Sequence, residues 1–195
     1  MKKSKIIVII VCVALIIIVA MSAKVIDKGT EGQYTGEVAF DASASSGDDW
    51  GAVLAEISGK AEDVATADLS ALGDGKAVTL KGTVSSFESK AAGKKNTMTV
   101  VPEGYTGSAV FTVQLGSIYS GTAIRDTQTV KAFGDFTNQT EWSAYAKALN
   151  SEMHDKVVAP LNIDESIQGK NVTIIGAATG SGSDINITPV AITIE

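Results

Sequence analysis

A chain of 195 residues with a net charge of −6 at pH 7 and 45% hydrophobic residues has the length for a buried core and the wrong charge for a phosphate-binding surface. Without its first 23 residues it holds thirteen basic against twenty-two acidic side chains, so nucleic acid, bound through cation contacts and counterion release, is excluded as a partner class. The single cysteine, Cys12, lies in that first stretch; residues 24–195 have no disulfide to rely on and must be held by packing.

Ile6 to Ala23 is an uncharged run of eighteen residues behind Lys2, Lys3 and Lys5. As a helix it would measure about 27 Å, close to the ~30 Å hydrocarbon core, and the lysines would stay in the cytoplasm. The expectation is a signal-anchor segment over residues 1–23, with the cytoplasmic membrane as a partner through residues 6–23 and the remainder on its extracytoplasmic face. A cleaved secretory signal shares these features, but cleavage after Ser22 would use a weak small-residue site.

Residues 24–48 are rich in Gly, Ser and Asp and read as a tether. A helix is expected over 49–72, capped by Asp48 or Asp49, with Val53, Leu54, Ile57, Ala61, Val64, Ala65 and Leu69 at three- and four-residue steps and Trp50 as a packing anchor. From Lys76 the period becomes that of strands: 77–88, 97–102 and 109–117, with a further short strand at 129–133. Asn138 followed by Glu141 predicts a capped helix through Trp142, Tyr145, Ala146, Leu149, Met153 and Val157, stopped by Pro160. Two more strands follow at 170–178 and 185–195.

Three strands, a helix and two strands is the order of an OB barrel, and Gly82 suits a bend within its first strand. The fold class expected is mainly β with two helices: an OB-like barrel of five or six strands over 76–195 with a helix between strands 3 and 4, preceded by the N-terminal helix and the anchor helix. "GKAVTLKG" (75–82) and "GKNVTIIG" (169–176) share a pattern that either duplication or two similar strand entries explains.

"GSIYSGTAIRDTQTVKAFGDFTNQTEWSAYAKALN" (116–150), with the later "GKNVTIIGA" and "ITPVAI", resembles the bacterial domain-of-unknown-function family of predicted periplasmic lipoproteins. Its most specific tracts map onto Gly121 to Asp126 and onto Phe133, Phe136, Asn138 and Gln139. The resemblance implies an exported, membrane-attached protein with an OB-like barrel, no established activity, and a gene often placed near ribose-type sugar ABC transporters. Ala23 stands before Lys24 where a lipidated cysteine would be expected, which favours an anchor helix over lipidation.

Catalytic signals are sparse. The single histidine, His154, has Ser151 one turn earlier and Asp155 beside it, yet adjacent helical residues point apart and no relay follows. No zinc set, serine–lysine signature or phosphate loop is present, the glycines of 176–184 reading as a hairpin. Asp48, Asp49, Asp74 and Asp184 lack the spacing of a calcium loop, so no metal or other cofactor is expected.

Arg125, the only arginine, is the sharpest feature. On a strand it would face away from Asp126, so its fork is expected to reach a carboxylate or carbonyls elsewhere, as a barrel-end structural clamp or as a ligand clamp. The ligand-binding candidates are Arg125, Asp126, Asn138, Gln139 and Trp142, an amide-and-aromatic set that suits carbohydrate. The expected function is a non-enzymatic accessory protein that binds a small sugar-related molecule or a component of a sugar ABC transporter; the alternative is an envelope assembly protein without a pocket.

Overall fold

The computed structural model describes residues 39–195 except 71 and 120, and Asp41–Glu195 form one compact unit distinct from Met1–Phe40. Helix α1 (Ala42–Lys60) begins where the Asp41 carboxylate accepts from the backbone N–H groups of Ser43 and Ala44, both at 3.0 Å. Its buried seam is Ser46, Trp50, Val53 and Ile57, at helical spacing. The helix therefore starts seven residues before the expected 49 and ends well short of 72. Asp63 and Asp68 turn the chain out of the helical path by accepting from the N–H groups of Ala65 and Ser70, each at 2.9 Å. Just after α1, the two-residue strand β1 (Glu62–Asp63) pairs in parallel with the next strand.

The barrel strands are β2 (Lys76–Glu88), β3 (Thr97–Pro102), β4 (Val110–Gln114), β5 (Asn171–Ser181) and β6 (Asp184–Ile194). The order is β2-β3-β4-β6-β5, and β5 returns to β2, so the sheet closes. Among these five strands the pairings are antiparallel except β4 with β6. Closure requires β2 to serve two neighbours: residues 76–83 pair with β5 and residues 82–88 with β3. Gly82 lies in both ladders, and a Cβ there would stand 2.1 Å from the Val101 carbonyl oxygen. A register shift between Val84 and Ser86 adds the local twist of a bulge. Inside, Val78, Leu80, Phe111, Val113, Ile174 and Ile187 are fully buried, each contributing roughly 1.5–3 kcal/mol by burial. The two similar sequence segments are the starts of β2 and β5, which lie side by side in antiparallel register.

Between β4 and β5 stand α2 (Ala123–Thr127) and α3 (Gln139–Met153). Asn138 caps α3 by accepting from the Glu141 N–H at 3.0 Å, while the Glu141 carboxylate accepts from the N–H of Thr137, one residue before the cap. The helix changes pitch before Pro160: a π turn (His154–Val158) and a 3-10 turn (Ala159–Leu161) follow Met153, and Asn162 at φ 47° ends the run.

Three expectations are corrected. The described residues contain three α-helices, not two, because 123–127 coils into the short α2. The segment 129–133 is no strand, since the loop is pulled onto α1 by side-chain contacts. Among the described residues no helix is long and apolar enough to cross a membrane, and residues 6–23 lie outside them. The expected membrane-anchor helix, and the membrane as a partner through residues 6–23, therefore find no support among the described residues.

Gly82→Ala is expected to lower unfolding stability by about 2–3 kcal/mol, because the contact is with backbone that the shared ladder holds in place. Urea unfolding followed by tryptophan fluorescence measures it.

Candidate functional site

The five candidate residues come together at the N-terminal end of α3 and its junction with α2. Arg125 and Asp126 share one turn of α2, and this reverses the strand-based expectation that they would face apart. Nε and Nη2 of Arg125 both donate to Oδ1 of Asp126 at 2.7 Å. Nη1 donates to the Trp142 carbonyl at 3.4 Å, and the guanidinium carbon lies 4.5 Å from the centre of the Trp142 ring. The two side chains are only 13% and 17% exposed, so the pair works in a medium where charge-assisted bonds and ring stacking count. A lysine supplies neither the fork nor the plane.

Around Trp142 the aromatic rings of Phe133, Phe136 and Tyr145 pack at centroid distances of 6.3, 5.0 and 6.1 Å. Tyr145 is fully buried, and its hydroxyl donates to the Asp49 carboxylate at 3.0 Å. Burial, and then that hydrogen bond, push the phenol well above its ordinary value, so it stays neutral. Asn138 has its carboxamide oxygen engaged as the helix cap, and Gln139 beside it is exposed.

Sequence reasoning missed two residues that hold this cap. Gln128 is 5% exposed and fully used: its Nε2 donates to the carbonyls of Arg125 (2.9 Å) and Lys131 (2.8 Å), and its Oε1 accepts from the Lys131 N–H at 2.8 Å. Glu56 of α1 accepts from the N–H and hydroxyl of Thr129 at 2.8 and 2.6 Å and pairs with Lys60. Burial alone would raise the Glu56 pKa, but the bonds from Lys60 and Thr129 outweigh it and bring it to about 2. An exposed-looking Gln or Glu in sequence carries no mark of such a role.

No relay is assembled at His154. The Ser151 hydroxyl donates back to the Lys147 carbonyl at 3.3 Å, and Nδ1 of the histidine is buried without a hydrogen-bond partner. Among the described residues no group of three or more His, Cys, Asp or Glu converges as a metal site.

A second feature lies on the barrel wall, away from every predicted residue. A half-open cleft of about 430 Å³ sits over the Gly82 crossing, between the end of β3 and the start of β5. A shallower one of about 490 Å³ lies between the β2–β3 loop and residues 163–166.

Strand order, closure and interposed helices define the class: an OB-fold barrel with a helical cap. A crystal structure of an OB-fold protein from Thermotoga maritima MSB8 is similar, at 15% identity and a TM-score of 0.54 over 81% of this chain and 100% of that one. That likeness bears on the fold alone. Curated proteins give no match. Residues 75–193 match the family described as predicted periplasmic lipoprotein (DUF2291), and the chain belongs to that family. Family membership puts the protein on the extracytoplasmic, membrane-associated side.

Arg125→Lys is expected to cost about 1–2 kcal/mol by losing the fork and the ring contact, measurable as a lower midpoint in chemical denaturation. Glu56 makes a pH-dependent contribution of the opposite kind to a cation. Its folded value of about 2 lies below the ordinary 4.5, so its stabilisation is complete above pH 4.5 and is lost as pH falls from there toward 2. With solvent screening at a side chain 17% exposed, about 1–2 kcal/mol is involved. Glu56→Gln should flatten the acid limb of a stability–pH profile across that window and leave its alkaline limb in place.

Proposed function

We propose that this protein is an accessory docking module that presents the α2–α3 face of its helical cap to another protein of the envelope, a sugar-transporter component being the candidate. The observation that carries this reading is Phe133, 49% exposed and set edge-on against Trp142, which is itself fixed by Arg125. An accessible aromatic ring on a rigid aromatic–arginine support is the composition of an interface anchor. The Arg125 fork is engaged with Asp126 and the Trp142 carbonyl, so the cluster favours a supporting role under a partner surface over a clamp on a free ligand. Asn138 and Gln139, at the start of α3, form the polar rim of that face. A second reading, binding of a small sugar-related molecule, is favoured by the barrel-wall cleft and not by the cap.

A photo-crosslinking phenylalanine analogue placed at position 133 in cells is expected to give one discrete adduct with an envelope protein. The same group at Glu88, on the barrel, should give none. Phe133→Ala should weaken the purified pair by at least about tenfold, and absence of any adduct from position 133 would overturn the docking reading.

A further inference from the structure

We infer that the barrel-wall cleft is a binding site for a single small, uncharged, hydroxyl-rich molecule, a monosaccharide-sized polyol, seated on the Gly82 crossing. This rests on the small-molecule reading above and is independent of the docking face. Strand register brings its polar groups together. Across three strands, Val101, Thr83 and Asn171 form one row, and Lys81 lies beside Thr173 in a neighbouring row. The row of Lys81 is extended on the β3 side by Glu103, whose N–H donates to the Lys81 carbonyl at 2.8 Å. Leu80, Val84, Val172 and Ile174 are buried inside the barrel, so the residues alternating with them, Lys81, Thr83, Asn171 and Thr173, face the outer wall. Glu195 closes the β5 side, its N–H donating to the Asn171 carbonyl at 3.0 Å.

What sets this wall apart from the Arg125 cluster is that several of its polar residues, Lys81, Glu103 and Glu195, are exposed. The Thr83 hydroxyl donates to Oδ1 of Asn171 at 2.9 Å, which orients the amide and leaves Nδ2 as a donor. The Lys81 ammonium, the Glu103 and Glu195 carboxylates and the Thr173 hydroxyl have no internal hydrogen-bond or ion-pair partner among the described residues. Donors and acceptors thus alternate round one cleft. A hydroxyl both donates and accepts, so a polyol satisfies such a set in one pose.

Charge narrows the class further. Two carboxylates line the cleft with one ammonium, a net negative lining from which phosphates and sugar acids meet repulsion. No aromatic residue lines the cleft, which removes the platform a nucleobase would need. Val101, 59% exposed, and Pro102 supply the small apolar patch on which the C–H face of a sugar ring rests. The volume of about 430 Å³ is at the small end of ligand pockets.

The test is titration of the full-length chain, free of glycerol and of glycosidic detergents, with ribose, glucose, myo-inositol, gluconate and glucosamine, followed by calorimetry. Saturable binding of at least one of the three neutral compounds, tighter than the charged ones, is expected. Lys81→Ala and Thr173→Ala, both on the outer wall, should each weaken it by about tenfold or more, with Phe133→Ala unchanged. Preference for gluconate or glucosamine would overturn the ligand class. Neutral-sugar binding unmoved by either cleft variant would overturn the site and leave the small-molecule reading standing. No binding by any of the five would overturn both.

Discussion

One strand must hydrogen-bond to two neighbours that diverge from each other, and the rest of the molecule follows from how it does so. The first half of β2 pairs with β5 and its second half with β3, with Gly82 in both ladders. A side chain at that point would collide with the Val101 carbonyl, so glycine lets the strands approach closely enough to close. Closure removes the free edges that an open sheet of five strands would expose. The stretch of β2 that β3 no longer covers is met at Val78 and Thr79 by the two-residue β1, which explains why so short a strand exists.

The helical cap is held by a different kind of force. Side-chain pairs stitch each segment to the next: Asp49 to Tyr145, Glu56 to Thr129, Arg125 to Asp126 and Trp142, and Asn150 to the Gly121 carbonyl at 2.7 Å. Half-buried carboxylates in an acidic chain are costly unless donors surround them. Here each has a hydroxyl, an N–H or a guanidinium in place. The lone arginine is explained by geometry: one oxygen of Asp126 takes two N–H groups while the flat guanidinium lies on the Trp142 ring, and only arginine combines a fork with a plane.

The barrel was largely legible from residues because β-branched alternation, turn residues and the interior glycine all depend on local chemistry. The expected strand at 97–102 matches β3 residue for residue. The N-terminal helix was misplaced because its first buried position is Ser46, a small polar residue that carries no apolar signal, and because Val64 and Leu69 continue a helical spacing that Asp63 and Asp68 interrupt through backbone bonds. At the cap, the residues of interest were visible as rare types. Their connections were not, since five residues of α2 gain their helical form from packing beneath α3 rather than from propensity. The barrel cleft left no trace in composition, for it is made by register between strands some ninety residues apart, as Thr83 and Asn171 are.

Rarity and availability point to opposite ends of this molecule. Arg125, Trp142 and Asn138 attract notice in the sequence, yet the Arg125 fork, the Trp142 carbonyl and the Asn138 amide oxygen are engaged with neighbours, and the Phe133 ring and Gln139 face outward. Lys81, Thr173 and Glu103 are ordinary residues whose polar ends have no partners among the described residues. Binding draws on groups that can exchange water for ligand, not on groups already exchanged for one another during folding. In the cap, Arg125, Gln128 and Glu56 commit their polar groups to holding its segments together, whereas the barrel wall leaves Lys81 and Glu103 exposed.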